Sequence, residues 1–175
     1  MSNLTPPVHA ADHIQGTADS PLTLVEYGDF ECPYCGAMYP VVKAVQQAMG
    51  NRLRFVFRQF PLTSMHPHAL HAAQMSEAAA AVGRFWEAHD LLYENQGALN
   101  DAALANYAAH VGVRASDLKS AFEGAYDERI QRDFDGGLRS GVNGTPSLFI
   151  NGRRYDGDRD ARSLLEALDA AAAGA

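Results

Sequence analysis

The sequence predicts an α/β protein whose sheet is interrupted by an inserted all-helical segment, and three observations carry that expectation. Leu22-Thr23-Leu24-Val25-Glu26-Tyr27 reads as a buried strand. It is followed by a helical pattern and by a second strand from Leu53 to Phe60. Such a strand-helix-strand opening requires a right-handed crossover between parallel strands. Residues 66–141 then carry helical periodicity without strand signal or internal repeat. Strand character returns at Ser147–Ile150, where Asn151-Gly152 is a strong two-residue hairpin turn and Arg153–Tyr155 the returning strand.

The elements follow in order. Ser20-Pro21 precedes the strand at 22–28, which is rich in β-branched and aromatic residues. Pro33 suits the first turn of a helix, where its missing N–H costs nothing. Met38, Val41, Val42 and Val45 give that helix an apolar face, Pro40 is expected to kink it, and Gly50-Asn51 ends it. In the second strand Leu53, Phe55 and Phe57 alternate against Arg52, Arg54 and Arg58, and Pro61 closes it. Within the insert, His68–Val82 is alanine-rich and Phe85–Asn95 follows Gly83. Asn100 is placed to cap a helix carrying Leu104, Tyr107, Ala108 and Val111; Ser116 is placed to cap one carrying Leu118, Ala121, Phe122 and Ala125. Ile130, Phe134 and Leu138 mark a last helix before Gly141. Phe85, Trp86, Tyr93 and Phe122 are expected in the core of the insert. Asp160 starts the final helix, with Leu164, Leu165 and Leu168 facing inward. The domain reading is a flexible leader at 1–16, a discontinuous α/β domain at 17–65 and 142–175, and the helical insert at 66–141.

Of the 175 residues, 47% are hydrophobic and 20% charged, as in globular proteins. The net charge of −7 argues against general nucleic-acid binding, which wants a basic face. No apolar run approaches a membrane span. Met1 to Gly16 contains two prolines, two histidines and no hydrophobic block, so it does not read as a secretory signal. That favours the cytoplasm, where a lone cysteine pair is more often catalytic than structural.

The chain has two cysteines, in Cys32-Pro33-Tyr34-Cys35, at the junction between the first strand and its helix. At a helix N-terminus a thiolate meets unpaired backbone N–H groups and the positive end of the helix dipole. Such sites bring a thiol from about 8.5 into the range of roughly 3.5–7.5. Cys32 is therefore the expected nucleophile. Cys35, one turn further on, is the expected resolving thiol. The competing readings are half of a structural zinc site, for which no second thiol pair exists, and a plain structural disulfide. His66, His68 and His71 invite a metal reading, but Pro67 and the lack of a partnering carboxylate favour capping or solvated histidines, so no metal site is expected.

Together, Phe30-Glu31-Cys32-Pro33-Tyr34-Cys35 after the first strand and Val142-Asn143-Gly144-Thr145-Pro146-Ser147 before the hairpin resemble the thioredoxin fold in its DsbA-like form. Cys-x-x-Cys alone is moderately specific; joined to a distant Thr-Pro at a loop-to-strand junction it is strong. The resemblance covers roughly residues 12–173 and implies a protein thiol–disulfide oxidoreductase whose thioredoxin unit is split by the segment 66–141.

By this resemblance Pro146 is the cis-proline beside Cys32, and Thr145 presents backbone groups to an extended substrate by strand addition; an ordinary trans proline is the alternative. Glu26, six residues before Cys32, matches a buried acid that relays the Cys35 proton, against the alternative of an exposed strand acid. Pro33 and Tyr34 tune the potential. Histidine stands between the cysteines of the best-known oxidising members, whereas Pro33-Tyr34 is similar to the glutaredoxin dipeptide. Asp29 and Glu31 are acids expected to oppose the thiolate. The pair is thus expected between about −270 mV, the thioredoxin value, and about −120 mV, the DsbA value. Expected partners are protein thiols or disulfides together with a redox protein or glutathione, and the cofactor is the cysteine pair itself. A monomer is expected. The rival readings are a glutathione-linked reductase or thiol transferase, and a redox-silent scaffold.

Overall fold

A computed structural model describes residues 3–174. A five-stranded sheet runs in the order β1-β3-β2-β4-β5, with β1 at His13–Gln15, β2 at Leu22–Gly28, β3 at Leu53–Gln59, β4 at Ser147–Ile150 and β5 at Arg153–Tyr155. β2 and β3 are parallel, joined by α1 (Pro33–Met49), and the other pairings are antiparallel. The helical insert holds α2 (Ala69–Ala81), α3 (Phe85–Glu94), α4 (Asp101–His110), α5 (Ala115–Ser120) and α6 (Asp127–Arg139); α7 (Ala161–Ala173) closes the chain. The α/β class with a helical insertion is as the sequence predicts.

The period of two along β2 sorts the core into two layers. Leu22 and Leu24, with Phe55 and Phe57 beside them on β3, face α1, α3 and α7. Val25, Tyr27 and Val56 face the opposite side, where Phe60, Phe149, Val142 and Leu4 complete a smaller cluster. Glu26 and Gly28 share the parity of Leu24, so they open toward α1 and α3. That places both beneath the cysteine pair.

The turn chemistry holds. Asn151 and Gly152 have φ of 46° and 80°, as a tight hairpin requires. Asn100 and Asp160 cap α4 and α7, accepting hydrogen bonds from the N–H groups of Ala103 and Ser163. Helix α1 runs through Pro40.

Four expectations are corrected. The leader at 1–16 is not a loose arm over its described part: Leu4 is buried, Asn3 bridges to Arg153, and β1 pairs antiparallel with β3. Met1 and Ser2 lie outside the described residues. The cause is Arg58. It does not sit on a solvent face but is buried, donating to both Asp12 carboxylate oxygens at 2.9 Å, to Tyr27 Oη at 3.0 Å and to the carbonyls of Pro6 and Pro7. A buried guanidinium must be paired, and the leader supplies the partners. Ser116 does not cap α5, whose N-cap is Arg114, two residues earlier, and Gly124 at φ 100° breaks the pattern expected to run to Ala125. Leu138 is exposed; α6 packs through Gly136 and Gly137 instead, because a Cβ on Gly137 would lie 2.7 Å from the Phe60 ring.

Candidate active site

Cys32 caps the N-terminus of α1 and Cys35 lies in its first turn, with Pro33 at the position between them that lacks an N–H to lose. Both cysteines are thiols here, both buried; Cys32 retains 3% exposure and Cys35 none. Tyr34 is 71% exposed and stands beside them as an apolar surface. Across the site, the Thr145–Pro146 peptide is cis and ends the loop before β4. The Cys32 thiol donates to the Thr145 carbonyl at 3.4 Å. Thr145 Oγ1 is buried with no partner, leaving it free to donate when Cys32 ionises.

The electrostatics separate the two sulfurs. A hydrogen bond from Cys35 is the largest influence on Cys32; burial opposes it, and the Thr145 side chain and the backbone N–H groups of Cys35 and Tyr34 add to it, bringing Cys32 down to about 5. The helix-terminus amides anticipated from sequence thus contribute, but the second thiol does more. Cys35 moves the other way, well above its ordinary value, through burial, its hydrogen bond to Cys32 and the charges of Glu26 and Cys32.

Glu26 is buried at 2% exposure and one of its oxygens has no partner. Burial, then the negative charge of Cys32, raise it to about 8, against a weaker pull from Arg159. The exposed-acid alternative is excluded.

The neighbouring acids are engaged by other groups and are not among the main influences on Cys32. Asp29 accepts from the backbone N–H of Glu31 and Leu62 at 2.8 Å and faces His66 Nδ1 at 2.8 Å; Glu31 accepts from the N–H of His68 at 2.6 Å. They pin the 61–68 loop to the active-site turn. Burial works against a charged His66, but the bond to Asp29 and that residue's charge outweigh it and raise its pKa. The lack of partnering carboxylates expected from sequence is corrected: His66 pairs with Asp29 and His71 with Asp101 at 2.6 Å. Among the described residues no group of three or more His, Cys, Asp or Glu is arranged to hold a metal ion.

Sequence reasoning missed two contributors from the insert. Gln96, just after α3, donates to the carbonyls of Phe30 at 2.7 Å and Cys32 at 2.9 Å. Its side chain occupies the place a Cβ on Gly36 would take, 1.9 Å away. Tyr93, expected in the core of the insert, instead packs on Phe30, Phe57 and Tyr39 beside the site. Asn95-Gln96-Gly97 after a helix carries no chemical pattern of its own, so no local signal would have found Gln96.

Fold and site together define a thioredoxin-fold protein with a helical insertion and a Cys-x-x-Cys opposite a cis-proline. A family model described as thioredoxin matches residues 9–170, and the chain belongs to that family. A thioredoxin-like oxidoreductase from Silicibacter pomeroyi superposes with a TM-score of 0.84 at 25% identity, covering 95% of each chain. Oxidised BdbD from Bacillus subtilis superposes with a TM-score of 0.84 over 99% of this chain and 98% of that one; at 19% identity it supports the DsbA-like fold alone. Among curated proteins, the Na(+)/H(+) antiporter NhaA 1 of Salinispora arenicola is 44% identical over 93% of this chain. The chain spans about a quarter of the length of the curated relatives it matches, 25% in that case.

Proposed function

We propose that the protein is a thiol–disulfide oxidoreductase acting on protein cysteines through Cys32 and Cys35. The observation that carries this reading is a pair of thiols one helical turn apart at the N-terminus of α1, the outer one against the cis Thr145–Pro146 peptide, in surroundings that push the outer pKa down and the inner one up. An ionised outer sulfur is the attacking group, and a protonated inner one waits until it is needed.

In the reducing direction the Cys32 thiolate attacks a substrate disulfide. A Cys32–substrate bond forms and the first substrate thiolate leaves. Cys35 then passes its proton to Glu26 and attacks the Cys32 sulfur; the Cys32–Cys35 bond forms and the second substrate thiolate departs. Two electrons have moved from the pair to the substrate. Oxidation is the same path reversed. Glu26 suits the relay because the Cys32 charge helps keep it protonated at rest; when that charge vanishes in the mixed disulfide, Glu26 gives its proton to water and becomes the carboxylate that accepts from Cys35. Pro33 and Tyr34 set the potential within this reading. Thr145 and Pro146 hold an extended substrate chain by backbone pairing. A monomer is the proposed working unit, with a redox protein or glutathione to recycle it and no cofactor beyond the pair. The compartment decides the net direction.

The antiporter relatives fit a redox domain joined to a transporter. No helix among the described residues is long and apolar enough to cross a membrane, and ion antiport is not proposed for this chain. Parallel assays on reduced RNase, insulin and a glutathione mixed disulfide test the assignment, with Cys32→Ser as control. Protein substrates should turn over and the control should not. Turnover confined to the glutathione substrate would replace this reading with a thiol transferase, and no turnover at all would leave a redox-silent scaffold.

A further inference from the structure

Tyr93 is 6% exposed, and its hydroxyl is buried without a hydrogen-bond partner. A phenylalanine would fill the same space among Phe30, Phe57 and Tyr39 without that oxygen, so core packing does not explain it. The position of the oxygen does. A Cβ built on Gly28 would lie 2.8 Å from Tyr93 Oη and 2.4 Å from the Phe57 ring, so the hydroxyl rests on the one β2 position whose missing side chain admits it. Gly28 is the next residue after Glu26 on the face of β2 that looks toward the cysteines, and Glu26 also has an unpartnered oxygen there. Two orphaned polar atoms, one from the insert and one from the sheet, thus lie on the same face of β2, the face that α1 and its cysteines cover.

We propose that the Tyr93 hydroxyl, carried on α3 of the helical insert, is a hydrogen-bond donor to the Cys35 sulfur as that sulfur becomes a thiolate during resolution. The proposal rests on the exchange reading above. In that step the Cys35 proton goes to the Glu26 carboxylate, the Cys35 sulfur bonds to Cys32, the Cys32–substrate bond breaks, and the substrate leaves as a thiolate. Tyr93 keeps its own proton throughout. Burial, then the charges of Cys35, Glu26, Asp29 and Cys32, hold that proton far more tightly than in a free tyrosine, so the group is a donor at every working pH. The unsatisfied hydroxyl is a cost to the resting fold, offset only when the inner sulfur ionises.

The test is Tyr93→Phe in the full chain. Reduced protein is mixed with oxidised glutathione, quenched with acid, and the Cys32–glutathione adduct followed by mass spectrometry from pH 6 to 9. Capture by Cys32 should proceed at the wild-type rate. The adduct should survive about tenfold longer, and the pH at which resolution reaches half its maximal rate should rise by about one unit, as expected for losing one donor to a charged sulfur. The melting temperature should equal or exceed that of wild type. Equal adduct lifetimes in wild type and variant at every pH would overturn the proposal and leave the exchange reading intact. A melting temperature several degrees lower would also overturn it, since the hydroxyl would then have a structural partner. A wild-type protein that never forms the adduct would end the exchange reading itself, and this role with it.

Discussion

Cys32 and Thr145 are separated by 113 positions in the chain, yet the Cys32 thiol donates to the Thr145 carbonyl at 3.4 Å. The helical insert lies between them in sequence, and the strand pair β2–β4 closes the gap. The nucleophile is therefore controlled from a loop on the far side of the insert.

Thr145→Val tests that control. It removes the hydroxyl available to the thiolate and keeps the backbone carbonyl. The Cys32 pKa should rise by about 1–2 units, the worth of one hydrogen bond to a charged group. Alkylation rate against pH measures it; an unmoved midpoint would mean the side chain does not reach the sulfur.

Glu26→Gln should slow resolution by about tenfold or more while stabilising the fold. The sign follows from linkage. Glu26 is raised from its unfolded 4.5 to about 8, so the folded state binds more protons between those values and loses stability as pH rises through them. The variant lacks that loss. Its advantage in urea unfolding should be absent below about pH 4.5, grow with pH, and reach the order of 3 kcal/mol at pH 7. An advantage independent of pH would contradict the buried-acid assignment.

Asp12→Ala should destabilise the protein by about 3–5 kcal/mol, the cost of leaving a buried guanidinium unpaired. Denaturant unfolding measures it. A change under 1 kcal/mol would show that the N-terminal segment is not needed to bury Arg58.

Gln96→Leu removes two hydrogen bonds to the active-site turn, from Gln96 Nε2 to the carbonyls of Phe30 and Cys32. Stability should fall by about 1–2 kcal/mol and exchange should slow several-fold. Wild-type exchange in a folded variant would reduce Gln96 to a packing residue.

What was legible in the sequence divides along physical lines. β2, β3 and the β4–β5 hairpin were visible because apolar alternation and Asn-Gly turn chemistry are local. The cysteine pair was visible because its spacing and flanks are local too. β1 was missed since His13-Ile14-Gln15 has no strand pattern; it exists because Arg58, an apparent surface residue, is buried and draws Asp12 in. The partners of Asp29 and Glu31 were not legible because sequence proximity to Cys32 says nothing of the backbone N–H groups and His66 that occupy them. Gln96 and Tyr93 escaped because they reach the site from the insert, by contacts between distant segments.

The most direct test of the account is the pH dependence of iodoacetamide alkylation in the reduced protein, with the modified residue identified by mass spectrometry. Cys32 should react with a midpoint near pH 5, and Cys35 should stay unmodified through neutral pH. A Cys32 midpoint at or above about 8.5, the ordinary thiol value, or equal labelling of both cysteines, would contradict the claim that the fold ionises one sulfur and withholds the other.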